Sequence, residues 1–396
     1  MLAVRCGTLI DGTEAAPRPH AVVLVDGELI VDVGGPELAE GAVEVLDLST
    51  KVVVPGVIDL HNHICFDGEP VGHLDGDPML MPFRCARNMR RLLAAGVTSL
   101  REAGAPHGMS FAAKDAVEAG IVEGPRLFVS GVPLVMTGGH GWNIGLEVDG
   151  ADEARKGARQ QIKRGAEWIK LLATGGVVTK GEQLGAPQMT LEEMTAACEE
   201  AHKANRRVLA HAMGPVGIQG ALEAGVDTIE HGIWFGDAEI EAMIEHDVYL
   251  VPTFSVSWVQ SQHGRDLGME QHVIDKATQA AEAMFECTAA AARAGVKIAM
   301  GTDAGGPGVD HTMVALELEL MLKSGACRTE ADVIRSATAL AADVLGLADR
   351  LGTIEPGKLA DLAALDGDPL LDITAFRSVD TVVKGGRIVH SSSQPA

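Results

Sequence analysis

The chain has 396 residues, too many for one ordinary domain but suited to a barrel of about 250 residues plus a smaller module. Hydrophobic residues make up 46 % and aromatics only 3 %, so Ala, Val, Leu and Ile must fill an ample core. The net charge of −23 argues against nucleic acid or an anionic membrane surface as partner, since both need basic patches, and it otherwise serves solubility.

Short strands open the chain. The segment A-V-V-L-V-D-G-E-L-I-V-D-V-G-G alternates around Asp26 and Gly27, a hairpin signal. A βα alternation follows, with candidate strands at Val53–Ile64, Gly96–Ala103, Arg126–Gly131, Glu167–Leu172, Val208–Ala212, Asp227–His231, Val248–Pro252 and Lys297–Asp303. Helix-like segments separate most of them. One is Leu191–Asn205, acidic early and basic late as the helix dipole favours. The end of the chain returns to short strands, K-L-A-D-L-A-A-L-D and V-D-T-V-V-K-G-G-R-I-V-H, with a tight turn at Gly385 and Gly386.

Strands alternating with crossover helices predict an α/β fold, a (β/α)8 TIM-type barrel. The two β-rich ends are expected to form one small β-sandwich domain from residues 1–54 and 351–396, leaving 55–350 to the barrel. Six cysteines, Cys6, Cys65, Cys85, Cys198, Cys287 and Cys327, are scattered without a C-x-x-C pair, which fits free thiols in a reducing cytosol. No apolar run approaches membrane-spanning length, and M-L-A-V-R-C-G-T lacks the layout of a signal peptide, so a cytoplasmic location is expected.

Several of the strand-like runs end in a side chain that can bind metal. They are V-I-D-L-H-N-H (His61, His63), E-W-I-K-L-L (Lys170), V-L-A-H-A (His211), T-I-E-H-G (His231) and I-A-M-G-T-D (Asp303). Side chains alternate along a strand, so His61 and His63 point the same way with Asn62 opposed, and both can reach one cation. An H-x-H pair alone is unremarkable. This one ends V-V-V-P-G-V-I-D-L, which reads as a strand buried on both faces, where imidazoles need a partner. Lys170 reads either as a lysine whose stem is buried and whose amine snorkels, or as one with a depressed pKa that has reacted with CO2 to give a carbamate. The other ligand strands in register favour the carbamate, an N6-carboxylysine. His211 and His231 would each be ordinary core histidines in isolation. Asp303 precedes A-G-G-P-G and reads as a helix N-cap or as a metal-linked general base. Cys65 shares the parity of His63 and could line the site, but reads better as a small buried hydrophobe.

These segments resemble the amidohydrolase superfamily over essentially the whole chain. The motifs P-G-V-I-D-L-H-N-H, M-T-G-G-H-G, W-I-K-L-L-A-T-G-G, A-H-A-M-G, I-E-H-G, G-T-D-A-G and G-T-I-E-P-G-K-L-A-D-L are similar to the branch near imidazolonepropionase, Xaa-Pro dipeptidases and metal-dependent carboxypeptidases. The resemblance implies two divalent metal ions, zinc by ligand type, with Mn or Co also suitable. His61, His63 and Asp303 would hold one ion, His211 and His231 the other, and carboxylated Lys170 would bridge them. It implies cleavage of a C–N amide bond by a metal-bridging hydroxide, with Asp303 as proton shuttle and a small amide, dipeptide, N-acyl amino acid or carbamate as substrate. A homo-oligomer is expected on the same ground.

Substrate contacts are expected from the strand-end loops. His140, in M-T-G-G-H-G-W, is the candidate catalytic and carbonyl- or carboxylate-binding residue, with a structural hydrogen bond as the alternative. Trp142 and Trp234 are candidates for an apolar wall or for plain packing. Arg101 is a candidate carboxylate binder or an internal salt-bridge partner. The glycine-rich stretch after Lys170 reads as a lid. Three competing readings are a ring-opening imidazolonepropionase-like enzyme, a deaminase and a non-catalytic scaffold. Lys170 argues against the first, Gly214 where deaminases of the superfamily carry Glu argues against the second, and the full ligand set argues against the third.

Overall fold

A computed structural model describes residues 1–69 and 78–393. The two ends of the chain meet in one mixed eight-stranded sheet. Its order is Arg387–Ser391, Val379–Lys384, Leu362–Leu365, Glu44–Pro55, Leu2–Leu9, Val22–Asp26 and Leu29–Gly34, with Arg18–Pro19 added beside Leu2–Leu9. Glu44–Pro55 is the joint: it runs parallel to Leu2–Leu9 and antiparallel to Leu362–Leu365. Val4, Val23, Val25, Ile30, Leu48, Leu362 and Val383 bury the apolar face of this unit, and the ladders among the described residues join into one continuous strand order. Gly27 and Gly385–Gly386 make the tight turns of its two hairpins.

Between these ends lie parallel strands β1 (Val57–Asn62), β2 (Val97–Glu102), β3 (Arg126–Val129), β4 (Trp168–Leu172), β5 (Arg207–Ala212), β6 (Thr228–His231) and β7 (Tyr249–Val251). The ladders run β1–β2–β3 and β4–β5–β6–β7, all parallel. Glu167 N donates to Val129 O at 3.0 Å, joining the approach to β4 with β3. Every residue of β1, β2, β4 and β6 is buried, as parallel strands covered on both faces require. The cover is supplied by α1 (Met81–Ala94), α2 (Met109–Glu118), α3 (Ala151–Lys163), α4 (Leu191–Lys203), α5 (Pro215–Ala224), α6 (Asp237–Glu245), α7 (Phe254–His263), α8 (Gln271–Ala294) and α9 (Val314–Ser324). The helix expected at Leu191–Asn205 is α4. A capping box between Thr190 and Glu193 starts it, and Asn205, at φ +53°, lies just past its end.

Two expected strands differ. Val53–Ile64 is split at Gly56, where a Cβ would sit 2.2 Å from Thr98 Oγ1, so the chain passes there from the terminal sheet to β1. Lys297–Asp303 forms no ladder of its own, only an isolated bridge at Ile298. It is nonetheless tied on both sides: Ala299 N donates to Leu250 O at 3.0 Å, and Leu60 N to Met300 O at 3.2 Å. Asp303, at φ +54°, turns the chain out of extended geometry.

Candidate metal centre and active-site cavity

His61 lies near the carboxyl end of β1 and His63 one residue beyond it, while Lys170 stands in β4, His211 near the end of β5 and His231 at the end of β6. Together with Asp303 they line one cavity at the carboxyl ends of the strands. The tightest group is His61, His63 and Asp303, with one donor atom from each lying within 4.8 Å of the others. His61 Nε2 and His63 Nε2 stand 3.6 and 3.3 Å from Asp303 Oδ1.

The opposite ring nitrogens are held from behind. His61 Nδ1 bonds Glu230 Oε2 at 2.6 Å, and His63 Nδ1 donates to Gly104 O at 2.8 Å. His231 Nδ1 bonds Thr253 Oγ1 at 2.6 Å. That hydroxyl in turn donates to Pro252 O, so it accepts the imidazole proton. Each contact places the proton on Nδ1 and leaves the Nε2 lone pair free, the usual support behind a metal-binding histidine. His211 Nε2 is buried with no partner among the described residues, an orphaned polar atom that suits a ligand-binding ring. The rings crowd together, with centroids 5.0 Å apart for His61–His231 and 4.6 Å for His211–His231.

Burial pushes His61 and His211 well below the usual imidazole pKa and His231 down to about 4, so these rings are neutral near pH 7. Burial opposes ionisation of Asp303, but the neighbouring His61 and His63 outweigh it and hold the carboxyl well below its ordinary value. Lys170 is fully buried and makes no hydrogen bond or close ion pair among the described residues. Burial brings its ammonium down to about 8. Burial lowers His63 too, but the Asp303 carboxylate outweighs it and raises that ring above its ordinary pKa. A carboxylate, imidazoles and a buried, easily deprotonated amine make a donor set that fits divalent cations. His231, Thr253 and Asp303 all adopt positive φ, at +71°, +53° and +54°, a conformation that costs L residues about 1–2 kcal/mol each and gathers at functional sites.

His140 lines the same cavity and stacks on His211 with centroids 4.6 Å apart. Its Nδ1 contacts Glu182 Oε1 at 2.8 Å and Thr179 Oγ1 at 3.1 Å. Glu182 also accepts from Gly176 N and Gln188 Nε2, which pins the glycine-rich loop after β4 against the site. A Cβ at Gly176 would come within 2.4 Å of the His140 ring, so glycine is required for this approach.

Three expected substrate contacts are not brought to the cavity. Arg101 is wholly buried beneath it: Nη2 bonds Glu230 Oε1 at 2.7 Å, Nη1 bonds Thr228 Oγ1 at 3.1 Å, and Cζ lies 4.5 Å over the Trp168 ring. It holds the carboxylate that holds His61, and its burial outside the cavity lining keeps it from a substrate. Trp142 and Trp234 are 52 % and 43 % exposed and lie outside the cavity lining. The apolar wall comes instead from Phe66, Ile144, Leu172, Val177, Met213 and Val256. Cys65 is also outside the lining, fully buried with Sγ 3.4 Å from Cys85 Sγ. Residues missed in the sequence are Glu230, Thr253, Glu182, Ser257 and Gln260. Glu230 left a trace, a carboxylate in the buried strand T-I-E-H that must find a partner. Nothing local marks the others.

Residues 52–389 match the amidohydrolase family. The chain belongs to this family. Among its relatives is an ochratoxinase of Aspergillus niger, 31 % identical over 425 residues that cover 97 % of this chain and 86 % of that protein. The solved structure of a Xaa-Pro dipeptidase with bound methionine is 30 % identical, superposes with a TM-score of 0.92, and matches over 99 % of this chain and 100 % of that one. A prolidase complexed with N-methylphosphonate-L-proline is 31 % identical, with a TM-score of 0.92 and the same coverage. This amidohydrolase therefore has a fold of the TIM-barrel type and is a metal-dependent hydrolase. Among the described residues no helix is long and apolar enough to cross a membrane.

Proposed function

We propose that this amidohydrolase is a binuclear enzyme that cleaves the C–N bond of a small amide, with a dipeptide, an N-acyl amino acid or a carbamate as the substrate classes. The observation that carries the reading is the convergence of His61 Nε2 and His63 Nε2 on Asp303 Oδ1 at 3.6 and 3.3 Å, with both Nδ1 atoms engaged behind. His61, His63 and Asp303 would hold one ion and His211 and His231 the other, with Lys170 as a bridging carbamate. Divalent ions bound there would supply Lewis-acid polarisation of the scissile carbonyl and lower the pKa of water toward about 7. Zinc fits the nitrogen and oxygen donors.

The protein's own residues supply the rest. Asp303, ionised across the neutral range, accepts the proton of the attacking water at a carboxylate oxygen and delivers it to the leaving nitrogen. His140, steadied by Glu182, faces the substrate carbonyl or carboxylate from the far wall. Burial of Lys170 favours the neutral amine that carbamate formation needs. The relatives named above, an ochratoxinase and a Xaa-Pro dipeptidase, support amide cleavage. We also infer a division at residues 1–54, 55–350 and 351–396, a cytoplasmic location in keeping with six free thiols, and a homo-oligomer.

The test is metal content together with hydrolysis of a mixed panel by the purified protein: Xaa-Pro dipeptides, dipeptides ending in Arg or Lys, N-acyl amino acids, aryl amides and carbamates. About two metals per chain, and a class cleaved by the parent but not by Lys170→Ala, are expected. One metal or none, without turnover of any member, would overturn the binuclear reading.

A further inference from the structure

Helix α7 follows β7 and presents Ser257 and Gln260 to the cavity. The two are three residues apart and so share a face of the helix. Both are 1 % exposed. Gln260 Nε2 donates to Pro307 O at 2.9 Å, in the loop that follows Asp303, and this bond settles which way the amide points. Its carbonyl oxygen, Oε1, is left buried with no partner among the described residues, and so is Ser257 Oγ. Buried polar atoms are nearly always satisfied, so two orphans on one wall of a candidate active site mark a place where a ligand completes the bonding.

The wall is held in place independently of any ligand. The buried Glu317 carboxylate accepts from Phe254 N at 2.9 Å, Ser255 N at 2.7 Å and Ser255 Oγ at 2.6 Å, fixing the first turn of α7. The apolar lining of the same cavity includes Val256, Phe66 and Ile144, and among the described lining residues Lys170 is the one basic side chain besides the histidines. The polar, non-charged lining of the cavity includes Asn143 and Thr179 besides Gln260 and Ser257, but among these Gln260 Oε1 and Ser257 Oγ are the buried atoms left without a partner among the described residues.

Resting on the amidohydrolase reading above, we propose that Gln260 and Ser257 form a specificity subsite for a hydrogen-bond donor, and that the preferred substrate is an amide carrying a hydroxyl or N–H beside the scissile group. Gln260 Oε1 accepts from that donor, and Ser257 Oγ pairs with the same group. A substrate without the donor leaves both atoms buried and unpaired, the situation in which binding sites discriminate most strongly.

The experiment uses the metal-loaded protein and two matched pairs. Propionyl- and lactoyl-4-nitroanilide differ by a hydroxyl on the acyl side, and N-propylacetamide and N-(2-hydroxypropyl)acetamide by one on the amine side. The parent should favour the hydroxyl member of at least one pair by about tenfold or more in kcat/KM. Gln260→Leu and Ser257→Ala should bring that ratio toward one. Ser257 Oγ has no bond among the described residues, so its variant keeps metal content and melting temperature, and a lost ratio there cannot come from misfolding. Cleavage with ratios near one in both pairs, or ratios that survive both substitutions, overturns the subsite and leaves the amidohydrolase reading standing. A metal-loaded protein that cleaves neither these amides nor the wider panel overturns both.

Discussion

The two halves of the candidate metal centre are built on the same plan and supported very differently. On one side, His61 and His63 are held through Nδ1 by Glu230 and Gly104, and their Nε2 atoms already face Asp303. The loop beyond them is braced as well, by Asn88 Nδ2 on Ile64 O at 3.0 Å and Phe66 O at 2.9 Å, and by His311 Nε2 on Phe66 O at 2.8 Å. On the other side, among the described residues, His231 alone has such a support, in Thr253. His211 Nε2 has no partner among the described residues, and the Lys170 amine is met by the charges of Glu230 and Asp303 without a hydrogen bond there. One half is preorganised by the protein, while the other is left to be completed by what binds there. Pre-paid orientation should appear as tighter metal retention on the His61 side.

The largest effect should come from removing the charge where the first half converges. Asp303→Asn should lower kcat by about 10²–10⁴-fold at saturating metal, and a loss below tenfold would take the proton-transfer role away from it. Next in size is the support behind His61. Glu230→Gln leaves the buried Arg101 guanidinium without its counter-charge and should cost about 3–5 kcal/mol in denaturant unfolding. It should also weaken metal binding about 10–100-fold in chelator competition. Stability unchanged by this substitution would mean that Arg101 and Glu230 are not a working pair.

A third test asks what bracing by His311 is worth. Burial lowers its pKa to about 4, below the ordinary 6.5, so the folded state refuses a proton that the unfolded chain accepts. This contribution is present above pH 6.5 and is lost as pH falls toward 4, on the order of 3 kcal/mol in all. His311→Gln should flatten the acid side of the stability profile, and an unchanged slope between pH 7 and 4.5 would refute it. The smallest effect belongs to the less supported half. Thr253→Val removes the acceptor behind His231 and should cost about 1 kcal/mol of stability and roughly tenfold in metal affinity, both less than Glu230→Gln. The reverse order would overturn the contrast between the halves.

The residues that line the centre were legible because each ends a run of apolar strand residues, a pattern set by local periodicity. His61, Lys170, His211 and His231 are polar intrusions in segments that otherwise read as core, and the fold brings them, with His63 and Asp303, to one cavity. The supporting residues were not legible in the same way. Arg101 looked like a carboxylate binder because its strand position is right. Its direction was decided by Glu230, 129 residues away. Trp142 and Trp234 looked like pocket walls because aromatic rings favour such places, yet they lie at the surface, and smaller residues from several loops line the cavity. The strand expected at Lys297–Asp303 shows the same limit: its apolar run is real, but the positive φ at Asp303 and bonding to two neighbours without a ladder appear only in the folded chain.

Primary structure therefore determined the βα alternation, the hairpins at both ends and the chemistry available at the strand ends, because these depend on residue type and on periods of two and 3.6. Tertiary structure alone decided which nitrogen of each histidine is free, that Arg101 serves Glu230 rather than a ligand, and that Gln260 and Ser257 stand buried and unpaired on the cavity wall. Those outcomes rest on hydrogen bonds between residues distant in the chain, whose geometry is set only when the barrel strands and α7 have packed.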